Sequence, residues 1–180
     1  RMGSDKAAVT LDGKSLLLRA IDFWKTACPD APIYVSAGQQ EHQLSLPEGV
    51  TPVYDLIKDR GPMGGLQAAF RQCAQELLWV SAVDMPLLSS QAVELLSKKR
   101  CHCEDACVFT HDGRPEPLLG LYRSTCLPVI DGLLEAGENR MSALLDTVKA
   151  TRVPLKNTDW VRNVNTPQEL ARLRQEQNHE

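Results

Sequence analysis

Leu77-Leu78-Trp79-Val80-Ser81-Ala82-Val83-Asp84-Met85-Pro86 is an apolar run that stops at a carboxylate and a proline. A short, nearly continuous apolar stretch closed by a breaker is what a strand buried on both faces requires. Such strands belong to open α/β sheets, whose ligands bind beyond the carboxyl ends of the strands, so Asp84 stands where these sheets do their chemistry. A carboxylate there commonly holds Mg2+, which bridges protein and phosphate oxygens. The competing role for Asp84 is to cap the helix after Pro86, a task open to Ser89 or Ser90 as well.

Outward from this strand, helical and strand-like segments alternate with short loops, the pattern of parallel strands joined by crossover helices. Ser15 is placed to cap a helix running to about Cys28, with Leu16, Leu17, Ala20, Ile21 and Trp24 at helical spacing. Strands are expected over 32–37, 51–54, 106–110, 118–122 and 151–154, and helices over 64–76, 89–99, 127–135 and 142–149. Thr166, Pro167 and Glu169 form the start of a last helix, as cap, first residue and capping-box acid. Residues 175–180 read as a polar tail. No repeat or long linker divides the chain, so residues 1–180 are expected to form one three-layer α/β/α domain with a mostly parallel central sheet.

The chain has 180 residues, a formal net charge of −3 and ordinary apolar and charged fractions. That balance argues against nucleic-acid binding and for local recognition of any anionic ligand. No apolar run approaches the roughly 18 residues of a membrane span and no secretory leader is visible, so no membrane association and a cytoplasmic location are expected. Of six cysteines, Cys28, Cys73 and Cys126 sit among apolar neighbours and read as core thiols. Cys101-His102-Cys103 with Cys107 has spacing that suits a soft metal, but no second ligand pair follows.

Three loops complete the candidate chemistry. Arg1-Met2-Gly3-Ser4-Asp5-Lys6 reads as the end of a glycine-rich phosphate loop, with Lys6 placed to meet phosphates and the strand and first glycines expected upstream. An expression leader is the competing reading of these residues. Asp55 precedes Asp59-Arg60-Gly61-Pro62-Met63-Gly64-Gly65, a turn that lets backbone approach a base, a ribose or an anion closely. Asn163-Val164-Asn165 precedes the last helix, where amides can hold a metal-bound substrate or cap the helix.

Arg1-Met2-Gly3-x-Asp5-Lys6, Gly61-Pro62-Met63-Gly64-Gly65, Val83-Asp84-Met85-Pro86 and Asn163-Val164-Asn165-Thr166-Pro167, in this order, resemble molybdenum cofactor guanylyltransferases, Rossmann-like nucleotidyltransferases. His111-Asp112-Gly113 and Ala136-Gly137-Glu138-Asn139-Arg140 look familiar from the same family, and the resemblance covers essentially the whole chain. It implies transfer of GMP from Mg-GTP to molybdopterin with release of pyrophosphate. Lys6 and Asp84 would then be catalytic, Asp84 and Asn165 would bind Mg2+, and Arg1, Gly3, Lys6, Ser36, Asp55, Gly61, Pro62, Gly64 and Gly65 would bind the nucleotide. Ser36 stands where some members place an asparagine. Molybdopterin would meet His111, Arg140, Asn163 and Asn165, with Arg114, Tyr122 and Arg123 as further candidates. Transient contacts with proteins that deliver the cofactor or receive it are implied too.

Other readings remain open on the sequence: a transferase using CTP on the same acceptor, GTP transfer to another phosphate, a nucleotide-binding protein without turnover, or a zinc module at Cys101, Cys103 and Cys107. The Asp5-Lys6 pair and the Gly61–Gly65 turn favour GTP.

Overall fold

The computed structural model describes residues 9–38, 46–99, 104–164 and 166–177. In chain order these form β1 (Thr10–Leu11), β2 (Lys14–Ser15), α1 (Leu16–Ala27), β3 (Ile33–Ser36), β4 (Val50–Val53), α2 (Gly61–Cys73), β5 (Leu77–Ser81), α3 (Ser90–Ser97), β6 (Ala106–His111), β7 (Arg114–Arg123), α4 (Leu127–Glu135), α5 (Met141–Thr147), β8 (Ala150–Pro154) and α6 (Pro167–Gln177). They group into two compact units. One takes the described residues of 1–31, 81–94 and 156–180, the other those of 32–80 and 95–155.

In the first unit β1 and β2 pair antiparallel around Asp12 and Gly13, whose φ values of 52° and 76° give the turn a hairpin of this twist needs. Ser15 then caps α1, its Oγ accepting the Leu18 N–H at 3.2 Å. Leu16 is buried with Leu11, Val164, Leu170 and Leu173, which joins the hairpin, the start of α1 and one face of α6 into a core. The Trp24 indole donates to Ser81 Oγ at 2.8 Å. The capping box of α6 is reciprocal: Glu169 N–H donates to Thr166 Oγ1 at 3.2 Å and Thr166 N–H to the Glu169 carboxylate at 3.0 Å. The helix runs on to Gln177, so residues 175–177, expected in a tail, are helical because Leu170 and Leu173 anchor the turns before them.

In the second unit β3 and β4 are parallel and α2 packs on them through Ala68 and Cys73 against Val53 and Tyr34. A four-stranded sheet runs in the order β5-β7-β6-β8. Its core joins Met63, Leu66 and Phe70 of α2, Leu78, Val108 and Tyr122 of the sheet, and Ile130, Leu134 and Leu144 of α4 and α5. β6 pairs parallel to β8 but antiparallel to β7, so the mostly parallel expectation does not hold for the β6–β7 pair. The reason is local: Asp112 and Gly113, with φ of 49° and 75°, form a two-residue turn that sends the chain straight back. Tyr122, a sequence candidate for acceptor binding, is fully buried and donates its hydroxyl to the Pro117 carbonyl at 2.7 Å, so it serves the core. Among the described residues no helix is long and apolar enough to cross a membrane.

Asp105 ties three strands of this sheet together. Its carbonyl accepts the Arg123 N–H at 2.7 Å, while its carboxylate accepts the Thr125 hydroxyl at 2.6 Å and the Lys149 N–H at 2.9 Å. The start of β6, the end of β7 and the start of β8 therefore meet on one residue. The Thr125 and Lys149 hydrogen bonds hold its carboxyl below the usual aspartate range. Asp105→Asn is expected to cost on the order of 1 kcal/mol at neutral pH, reduced from the full value of charged hydrogen bonds by solvent. The sign follows from the lowered pKa: this contribution is complete above about pH 4, the unfolded value, and fades as pH falls through the folded one. Urea unfolding should therefore give stabilities for wild type and variant that converge in acid.

Candidate functional site

Ser36 and Val53 are register partners at the ends of two parallel strands, so the loops that follow leave side by side. Two further backbone bonds, Ala37 N–H to Val53 O and Asp55 N–H to Gly38 O, each 2.9 Å, hold these loops together. The Gln72 amide donates to the Tyr54 carbonyl at 2.7 Å and pins the same segment to α2. Asp55 is thereby placed over the first turn of α2.

A side chain at either glycine of that turn would meet a close neighbour. A Cβ at Gly65 would lie 2.6 Å from Ser36 Oγ and 3.7 Å from Asp55 Oδ1, and one at Gly64 would lie 2.7 Å from Arg60 Cβ and 3.9 Å from Asp55 Oδ2. Gly61, at φ 57°, lets the chain enter the helix and Pro62 fits its first turn. Asp55 Oδ1 is buried and has no hydrogen-bond partner among the described residues. Burial pushes the Asp55 carboxyl above the usual aspartate range. An acceptor left unpaired in this way costs stability.

The same corner includes residues that sequence reasoning left without a role. Arg60 Nη1 donates to Asn139 Oδ1 at 3.2 Å, drawing the loop between α4 and α5 to the start of α2. Beside Asn139, Arg140 is exposed and bonded to Glu138. Ser36, Asp55, Gly61, Pro62, Gly64 and Gly65 are thus one neighbourhood, with Arg140 attached through Asn139 and Arg60. His111 is elsewhere in its polar contacts, with Nε2 3.4 Å from an Asp112 oxygen at the β6–β7 turn. The Arg60–Asn139 bond had no sequence signal, because neither residue type announces a partner so distant along the chain.

In the first unit Asp84 is buried three residues beyond β5, and its carbonyl accepts the Val164 N–H at 2.9 Å. The segment around Asp84 and the run before α6 therefore meet, with Asn163 exposed next to the junction. Arg1, Gly3, Lys6 and Asn165 lie outside the described residues, as do Cys101 and Cys103. Cys107 is fully buried within β6, and Cys73 and Cys126 are buried too, whereas Cys28 is half-buried. No cluster of three metal-ligating side chains occurs among the described residues.

Residues 1–153 match the family model of the MobA-like NTP transferase domain. The chain belongs to the MobA-like NTP transferase family. A probable molybdenum cofactor guanylyltransferase from Mycobacterium bovis is 32% identical over 171 residues, covering 92% of this chain and 83% of the relative. One from Synechococcus elongatus is 32% identical over 188 residues, covering 96% and 91%. The crystal structure of molybdopterin-guanine dinucleotide biosynthesis protein A from Archaeoglobus fulgidus superposes with a TM-score of 0.84 at 25% identity, over all of this chain and 94% of that one. The mixed α/β architecture of this MobA-like transferase is therefore that of a nucleotidyltransferase. Among its described residues Asp84 offers a hard carboxylate oxygen of the kind Mg2+ takes alongside substrate phosphates, so its donor chemistry fits that cation.

The glycine pair makes a graded prediction for this MobA-like transferase. Alanine gains about 1 kcal/mol of helix propensity over glycine, which offsets a mild clash but not a rigid one. Gly65→Ala meets Ser36 Oγ, which can rotate, and should be near neutral. Gly64→Ala meets Arg60 Cβ, which moves only with its backbone, and should lose roughly 1–2 kcal/mol by overpacking. Urea unfolding of the two variants reads the difference.

Proposed function

We propose that the chain transfers GMP from Mg-GTP to molybdopterin, giving molybdopterin guanine dinucleotide and pyrophosphate, and that it works in the cytoplasm. Family membership and relatives named for this activity support the reading. The observation that carries it is Asp55, a carboxylate with one buried, unpaired oxygen above a glycine turn that brings backbone close. A guanosine, with N–H donors on its base and hydroxyls on its ribose, suits a half-buried carboxylate beside this turn.

In the reaction an acceptor phosphate oxygen bonds to the α-phosphorus while the bond from that phosphorus to the bridging oxygen breaks, and pyrophosphate leaves with the electron pair. The attacking phosphate is already anionic, so no protein nucleophile is needed; positioning and charge neutralisation supply the rate. Ser36, Asp55 and the Gly61–Gly65 turn hold the guanosine. Arg1, Gly3 and Lys6 meet the triphosphate, Lys6 neutralising its charge. Asp84 and Asn165 would hold Mg2+, and Arg140, His111, Asn163 and Asn165 would receive the acceptor. When bound there, Mg2+ would supply positive charge to the phosphate oxygens. Proteins that deliver molybdopterin or take up the product would make transient contacts.

Calorimetry with GTP and CTP in Mg2+ tests the reading. GTP is expected to bind selectively, and CTP preference would move the chain to a cytidylyl activity. Asp84→Asn should lower kcat on the order of 100-fold, as loss of one preorganised electrostatic group does. Asp55→Asn should weaken GTP binding about tenfold, as loss of a charged hydrogen bond does. Donors on guanosine favour the ionised Asp55, whose pKa is raised. Wild-type affinity should therefore fall with decreasing pH, starting above the usual aspartate value of about 3.9, while that of Asp55→Asn stays flat.

A further inference from the structure

The loop between α4 and α5 is fixed at each of three successive residues. Gly137, at φ 80°, ends α4 with its N–H on the Leu134 carbonyl at 3.1 Å, and the Glu138 N–H reaches the Leu133 carbonyl at 2.8 Å. This paired closure of the last turn sets the backbone of Glu138. Asn139 accepts from Arg60 of α2 at 3.2 Å, and Arg140 leads directly into α5. On this frame Glu138 is mostly covered, its side chain 26% exposed, while that of Arg140 is 77% exposed.

The contacts between the two are one-sided. Arg140 Nε donates to Glu138 Oε1 at 2.9 Å and Oε2 at 3.1 Å, Nη2 donates to Oε2 at 2.5 Å, and the Arg140 backbone N–H donates to Oε1 at 2.8 Å. The carboxylate thus takes the Nε edge of the guanidinium, and among the described residues Arg140 has no other side-chain partner. The opposite edge, formed by Nη1 and the second hydrogen of Nη2, is left with two parallel N–H groups that also match two oxygens of a phosphate. An ion pair this exposed adds little to stability, so its effect lies in where it holds the arginine. Arg140 in turn holds the Glu138 carboxyl down to about 2, which keeps the pair ionised at any working pH.

We propose that Glu138 is a positioning residue: it grips the Nε edge of Arg140 and so presents the Nη1–Nη2 edge to the phosphate monoester of the acceptor. This rests on the acceptor-binding role of Arg140 given above. A long arginine on the surface would otherwise lose its rotamer freedom on every binding event, and the fixed carboxylate removes that loss beforehand.

Steady-state kinetics on wild type, Glu138→Ala, Arg140→Ala and the double variant, with molybdopterin and Mg-GTP, tests it alongside GTP calorimetry. Glu138→Ala should raise the KM for molybdopterin about three- to tenfold, the cost of ordering one long side chain, with kcat and GTP affinity unchanged. Arg140→Ala should raise it at least as far, and the double variant should match Arg140→Ala alone. Wild-type KM in Glu138→Ala beside a raised KM in Arg140→Ala overturns the positioning role and leaves the acceptor reading standing. So does an added effect of Glu138→Ala in the Arg140→Ala background, which would mean that Glu138 acts by another route. A wild-type KM in Arg140→Ala overturns the acceptor role of Arg140 and this proposal with it. Glu138→Gln, which keeps the shape and one acceptor oxygen, should give an intermediate KM and carries the test if the alanine variant fails to fold.

Discussion

The second unit is organised by the close approach of the first turn of α2 to the ends of β3 and β4. A Cβ on Gly65 would lie 2.6 Å from Ser36 Oγ at the end of β3 and 3.7 Å from Asp55 Oδ1 beyond β4. Much else follows from that approach. It points Met63, Leu66 and Phe70 into the core they share with the sheet, and lets Gln67 and Arg71 reach Asp131 of α4 at 2.6 and 2.7 Å. It also puts Arg60 within reach of Asn139. The helix that carries the glycine turn is therefore also the one that secures α4 and the loop after it.

Two aspartates in this unit show how the same side chain is put to opposite uses. Asp105 accepts from a hydroxyl and a backbone N–H, and its pKa is lowered. Asp55 is partly desolvated with one oxygen unpaired, and its pKa is raised. The first arrangement stabilises the ionised form in the fold itself and acts as a joint between strands. The second leaves a desolvation cost that nothing within the described fold offsets. Arg140 extends the contrast, because the exposed pair it makes contributes direction more than stability.

Most elements were legible because each carries a local cause. The Ser15 cap, the helical spacing of Leu16, Leu17 and Ile21, and the Thr166–Glu169 box act within a few residues, and each appears as read. The expected orientation of β7 and the role of Tyr122 were misread for separate reasons: Asp112-Gly113 sets a reversal that alternation of strand and helix does not reveal, and the buried end of β7 packs Tyr122 into the core. The β1–β2 hairpin was missed at Asp12-Gly13 although that dipeptide is the same signal; strands of two residues are too short for hydrophobic alternation to register. Asp55, Gly64 and Gly65 were legible as candidates, but not the geometry that brings Ser36 over them.

What the sequence determined by itself is the set of local preferences: which stretches become helix or strand, where helices start, which turns need glycine, and which motifs a nucleotidyltransferase would carry. Local sterics and short-range hydrogen bonds decide these, so neighbouring residues suffice. Only the tertiary structure decided that Asp55 keeps an unpaired oxygen over two glycines, that Asp105 joins three strands, that the Asp84 carbonyl meets Val164, and that Glu138 and Arg60 fix the loop bearing Arg140. Each of these depends on burial or on an approach set by packing, whether between distant segments or, for Glu138 and Arg140, by the way α4 closes. Desolvation and the direction of a side chain are properties of the assembled surroundings, not of the residue that carries them.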